Sequence, residues 1–113
     1  MTAYAPGDLI RTICSAEAPM HATIHRYEGR IESPETLAGL TRGLASTLSE
    51  VPGFVVYLAL EDDGNGFSAL SVFEDAASRM AGDQIAECWL RDRLALPGQL
   101  SRVSGEVVAQ RGL

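Results

Sequence analysis

Few side chains in this 113-residue chain are suited to chemistry, and the two histidines come first. Histidine as a residue type titrates near neutrality, so His25 is a candidate general base, although hydrogen bonding at a sheet edge is the plainer role. His21, Thr23, His25 and Tyr27 would share one face of an extended segment. Two histidines with no carboxylate beside them do not make a metal site. Tyr57 sits among Val55, Ala59 and Leu70. Its ring either lines a cavity or packs in an apolar core with its hydroxyl on a backbone partner. Trp89 falls on the apolar side of a helical pattern, the usual place of a core anchor. Cys14 and Cys88 stand far apart outside any paired motif and read as free thiols, Cys88 within a helix. Glu61, Asp62 and Asp63 form a solvated acidic turn without calcium-loop spacing. No nucleophile elbow, phosphate loop or dinucleotide fingerprint occurs.

The elements that must position these residues can be read in order. Residues 1–19 carry Pro6, Gly7 and Pro19 without sustained periodicity and read as an N-terminal extension. A strand is expected from Met20 to near Gly29, with Met20, Ala22, Ile24 and Arg26 on the face opposite the histidines. Ser33, Pro34 and Glu35 then make a strong helix start: hydroxyl cap, proline at the first position, acid at the positive end. Leu37, Leu40, Leu44 and Leu48 give that helix one apolar stripe, and Gly39 and Gly43 suggest a close approach. Val51, Pro52 and Gly53 stop it.

A hairpin of two apolar strands follows, Phe54 to Glu61 and Gly66 to Phe73, around a turn of Asp62, Asp63, Gly64 and Asn65. Pairing Glu61 with Gly66 would place Phe54, Val56, Leu58 and Leu60 on one face with Phe67, Ala69, Ser71 and Phe73. Tyr57 and Ser71 would then lie on opposite faces. Glu74 or Asp75 can cap a second helix running to about Leu94, made irregular by Gly82 and Asp83 and regular from Gln84. Its apolar side is Ala86, Trp89, Leu90 and Leu94. A last strand is expected over residues 101–110.

Composition sets limits. With 46% hydrophobic and 21% charged residues, the chain supports one core and not two ordinary domains. A net charge of −6 and a pI near 4.7 argue against nucleic acid and anionic lipid as partners. No apolar run approaches a membrane span, and Asp8, Arg11 and Glu17 interrupt any signal-peptide core, so a cytoplasmic protein is expected.

The order β-α-β-β-α-β implies a ferredoxin-like α+β fold over residues 20–113, a four-stranded antiparallel sheet with two helices on one face. Two helices cover one face of a hairpin that is apolar on both. A homodimer is therefore expected, two sheets packed face to face as a dimeric α/β barrel.

Several segments carry a resemblance: R-Y-E-G at the end of the first strand, V-P-G-F-V-V-Y at the second, S-V-F-E-D into the second helix, A-E-C-W-L-R-D-R-L along it, and the closing S-G-E-V-V. Over residues 20–110 the chain resembles the dimeric α/β-barrel proteins of the antibiotic biosynthesis monooxygenase-like superfamily. The resemblance implies a cofactor-independent monooxygenase-like protein acting on an aromatic or polyketide-like small molecule, or else a non-catalytic homodimeric barrel that binds a small apolar ligand or a partner. In the oxygenases of this superfamily a phenol-type substrate is deprotonated and itself reacts with oxygen, so no metal or cofactor is called for. The residues available for this role are His25, Tyr57 and Trp89 as catalytic groups and Tyr27 and Ser71 as ligand-binding groups. Haem-degrading relatives pair a histidine on the second helix with an asparagine and a tryptophan. Here no histidine follows His25, and the sole asparagine, Asn65, sits in the hairpin turn.

Overall fold

The structure, a computed structural model, describes residues 19–29, 33–62, 65–93 and 99–113. The extension expected over residues 1–19 lies outside these, except for Pro19, as does Cys14. The elements are β1 (His21–Glu28), α1 (Pro34–Leu48), β2 (Phe54–Glu61), β3 (Gly66–Phe73), α2 (Ala76–Arg93) and β4 (Gln99–Glu106). The strands form one antiparallel sheet in the order β2-β3-β1-β4. Each βαβ unit thus encloses a strand of the other, the ferredoxin-like arrangement implied by the element order. No helix among the described residues is long and apolar enough to cross a membrane.

Local chemistry accounts for the helix starts. The backbone N–H of Thr36 donates to the Ser33 hydroxyl, and Pro34 occupies the first turn. On α2 the Ser78 N–H donates to Asp75 Oδ1 at 2.8 Å, which identifies Asp75 as the cap. That hydrogen bond also holds the Asp75 carboxyl below its ordinary pKa. The irregularity expected at Gly82 and Asp83 is absent, because α2 runs unbroken through both. Gly82 is there for packing: a Cβ would overlap the Phe73 ring. The final strand ends at Glu106, short of the expected residue 110, and Val107 N–H donates to the Met20 carbonyl just beyond it.

The hairpin register corrects an expectation that bears on the site. Asp62 N–H donates to the Gly66 carbonyl, so Glu61 faces Phe67 rather than Gly66. Gly66 has φ +141, and a Cβ there would run into the Tyr27 carbonyl, so glycine is required. Phe54 still pairs with Phe73, and the extra residue is absorbed as a bulge between Phe54 and Val56. From Val56 onward the faces therefore exchange relative to expectation. Tyr57 and Ala59 join Ser71 and Ala69 beneath the helices, while Val56, Leu58 and Leu60 turn outward. Tyr57 and Ser71 are direct cross-strand partners on one face.

The core lies between this face and the helices. Leu37, Leu44 and Leu48 of α1 and Ala86 and Leu90 of α2 meet Tyr27, Phe67, Ala69 and Phe73. The opposite face is apolar and bare: Ile24 is 48% exposed, Leu58 57%, Leu60 71% and Val103 72%.

Candidate functional site

Pairing across the sheet fixes where each candidate residue stands. One row runs Tyr57, Ser71, Thr23, Ser104, and the next runs Ala59, Ala69, His25, Arg102. His25 and Tyr57 are thus separated by β3 and by two residues of strand, roughly 12 Å between backbone positions from strand spacing and rise. Between them lie the small side chains of Ala69 and Ser71, both buried.

His25 is buried and faces charge that a reading of its own strand could not show. Its Nε2 stands 3.4 Å from Glu87 Oε2 on α2. The same oxygen accepts from Arg102 Nη1 of β4 at 2.9 Å. One helical turn earlier, Asp83 is almost fully buried, and its Oδ2 accepts from Arg79 Nη1 at 2.6 Å and from the Thr23 hydroxyl at 3.0 Å. Glu87 thus supplies a carboxylate beside His25, and Asp83 a second one turn away. Their sequence signal is the four-residue spacing of Arg79, Asp83, Glu87 and Arg91, which sets two acids between two arginines along one helix face.

Tyr57 is half-buried, and its ring forms part of a cleft of about 270 Å³ with Ala38, Thr41, Arg42, Ala45 and Ala59. Its hydroxyl is sealed from solvent without a hydrogen-bond partner. Burial pushes the phenol pKa up to about 12, so the group stays a neutral donor at physiological pH. Trp89 Nε1 is likewise sealed and unpartnered. The Trp89 ring lies against Gly43, where a Cβ would stand 2.9 Å from Cζ2, and the Arg93 guanidinium covers it at 3.5 Å. The close approach suggested by the two helix glycines is therefore real at Gly43, while a Cβ at Gly39 would meet nothing within 4 Å.

The geometry brings some candidates together and separates others. Ala38, Thr41, Arg42 and Ala45 lie on one flank of α1, whereas Gly43 is roughly 100° farther round the helix from Arg42, toward α2. The open side of Tyr57 and the packed ring of Trp89 accordingly flank α1 on opposite sides. Tyr27 is buried against Phe67 with ring centroids 5.8 Å apart, and its unpartnered hydroxyl lies over Gly29 at the strand end. A larger cavity, about 970 Å³, lies at the sheet end beside Met20, Val55, Asp75 and Val107. None of the five candidate residues lines it. Cys88 is an exposed free thiol on α2.

No family model matches the chain, and no curated protein does. Solved structures do. The chain is similar to SnoaB, a cofactor-independent oxygenase from Streptomyces nogalater, at 17% identity and TM-score 0.60, over 85% of this chain and 98% of that one. A protein of unknown function from Nitrosomonas europaea, NE2512, superposes with TM-score 0.69 at 21% identity, covering 84% of this chain and 95% of its own. A candidate antibiotic biosynthesis monooxygenase from the same organism gives TM-score 0.68 at 18% identity, covering 85% and 97%. The chain shares its ferredoxin-like fold with these solved structures, the fold that the sequence resemblance implies.

Proposed function

We propose that this chain forms a homodimeric, cofactor-independent monooxygenase acting on a phenolic aromatic or polyketide-like small molecule. The observation that carries the reading is the sealed, unpartnered hydroxyl of Tyr57, on the same covered sheet face as His25. A buried donor without a partner costs about 1–3 kcal/mol, and a ligand oxygen that enters the layer relieves that cost. The likeness in fold to a protein described as a cofactor-independent oxygenase supports the same reading.

The roles follow from the chemistry of each group. His25 takes the phenolic proton, and the neutral Tyr57 hydroxyl donates to the resulting oxyanion. Trp89, Tyr27 and Ser71 shape the apolar enclosure that keeps water from the anion. The anion then reduces dioxygen. A ring methylene becomes a carbonyl, one oxygen atom enters the product, and the other leaves as water, so the substrate supplies all the electrons.

The second copy is part of the proposal. Ile24, Leu58, Leu60 and Val103 form an outward apolar face that a twofold-related sheet would cover.

Oxygen uptake with a panel of dihydroxyaromatic and anthrone-type substrates tests the reading. The wild-type protein should exceed the spontaneous rate, and the double variant His25→Ala, Tyr57→Phe should fall to it. Equal uptake from both would remove these residues from the mechanism. Tight binding without uptake would leave a ligand-binding barrel instead.

A further inference from the structure

The proposed chemistry uses the His25 imidazole alone, yet charged groups surround it. It is faced from α2 by Glu87, with Asp83 and Arg79 one and two turns earlier, and from β4 by Arg102. Thr23 and Tyr27 are its neighbours on the same face of β1. Arg102 Nη1 binds Glu87 Oε2 at 2.9 Å and lies 3.6 Å from Asp83 Oδ2, so it braces both acids. Within this cluster the carboxylates of Asp83 and Glu87 meet three guanidinium groups, those of Arg79, Arg102 and, 4.0 Å from Glu87 Oε1, Arg91.

A neutral imidazole carries one proton. Against a carboxylate that proton sits on the nitrogen facing the oxygen, because the other tautomer would set lone pair against lone pair. We infer that Glu87 is a positioning residue that holds His25 as the Nε2–H tautomer and thereby makes Nδ1 the proton acceptor, with Arg102 steadying the carboxylate. The proton leaves the substrate O–H for Nδ1, the bonding electron pair stays on the substrate oxygen, and Glu87 offsets the imidazolium charge that forms. The identity of the proton donor rests on the oxygenase reading; the tautomer does not.

Histidine-selective multiple-bond ¹H–¹⁵N spectra of the full chain read the tautomer directly, and His21, the other histidine, serves as internal reference. Wild-type His25 should show a protonated Nε2 and an acceptor Nδ1. Glu87→Ala should abolish that preference. Glu87→Gln, whose amide oxygen can still accept, should keep it while lowering kcat at least about tenfold at little-changed KM. A wild-type Nδ1–H tautomer, or an unaltered His25 spectrum in Glu87→Ala, would overturn the inference. If Glu87→Ala does not fold, the wild-type and Glu87→Gln spectra decide the tautomer. Absent uptake by the wild type together with a tautomer lost in Glu87→Ala would discard the oxygenase reading and leave the positioning role standing.

Discussion

At the scale of single residues, the interior between sheet and helices holds more polarity than its packing requires. Tyr57 is the clearest case: its hydroxyl is sealed, unpartnered and pushed to a pKa of about 12. The native state therefore holds the phenol proton more tightly than the unfolded chain, whose phenol titrates near 10.0. Stability should be flat below that value and fall as pH rises from about 10 to about 12. Tyr57→Phe should remove this slope and, in the absence of ligand, raise stability by about 1 kcal/mol by deleting an unsatisfied group. Urea unfolding at pH 8 and pH 11 checks both. Asp83 behaves oppositely. Asp83→Ala would strand the Arg79 guanidinium in a mostly buried site and should cost about 3–5 kcal/mol in the same assay.

These residues also mark where reading the sequence stopped. His25, Tyr27 and Thr23 could be placed together on one face because strand alternation is local. Glu87 and Arg102 could not be joined to them, since that contact depends on how α2 lies across β1 and β4. The four-residue charge spacing was visible in α2, but nothing in it says which face is buried.

At the scale of elements, the first helix was legible down to its cap, because Ser33 and Pro34 act within one turn. The hairpin was legible as a hairpin and misread in its faces. A single bulge residue between Phe54 and Val56 exchanges the faces, and alternation alone cannot reveal one inserted residue. Gly82 illustrates the same limit: a glycine admitted for the Phe73 ring looks, in sequence, like a break. The two glycines of α1 make a sharper test. Gly39→Ala enters open space on an exposed helix position and should stabilise by about 0.5–1 kcal/mol. Gly43→Ala should instead press on Trp89, costing roughly 1 kcal/mol and shifting the emission of the protein's single tryptophan. Thermal unfolding with fluorescence detection separates the two outcomes.

At the scale of the whole molecule, two helices and a two-faced sheet leave one apolar surface uncovered. The prediction of a homodimer came from that count, and the correction at Val56 exchanged the residues of β2 while leaving both of its faces largely apolar. Leu58→Glu places a charge on the bare apolar face, on its edge strand β2, and should turn a dimer into a soluble monomer in size-exclusion chromatography with light scattering. A wild-type monomer at micromolar concentration would contradict the assembly. The fold likeness to SnoaB and the Nitrosomonas proteins holds at 17–21% identity, so it establishes architecture and leaves the chemistry to experiment.

Reaction of an anthrone-type substrate under ¹⁸O₂, followed by mass spectrometry, tests the central claim most directly. The account predicts wild-type product formed well above the spontaneous rate and carrying one ¹⁸O atom per turnover, with the excess lost in His25→Ala. Product formed only at the spontaneous rate, or accelerated formation with the new oxygen drawn from water, would contradict it.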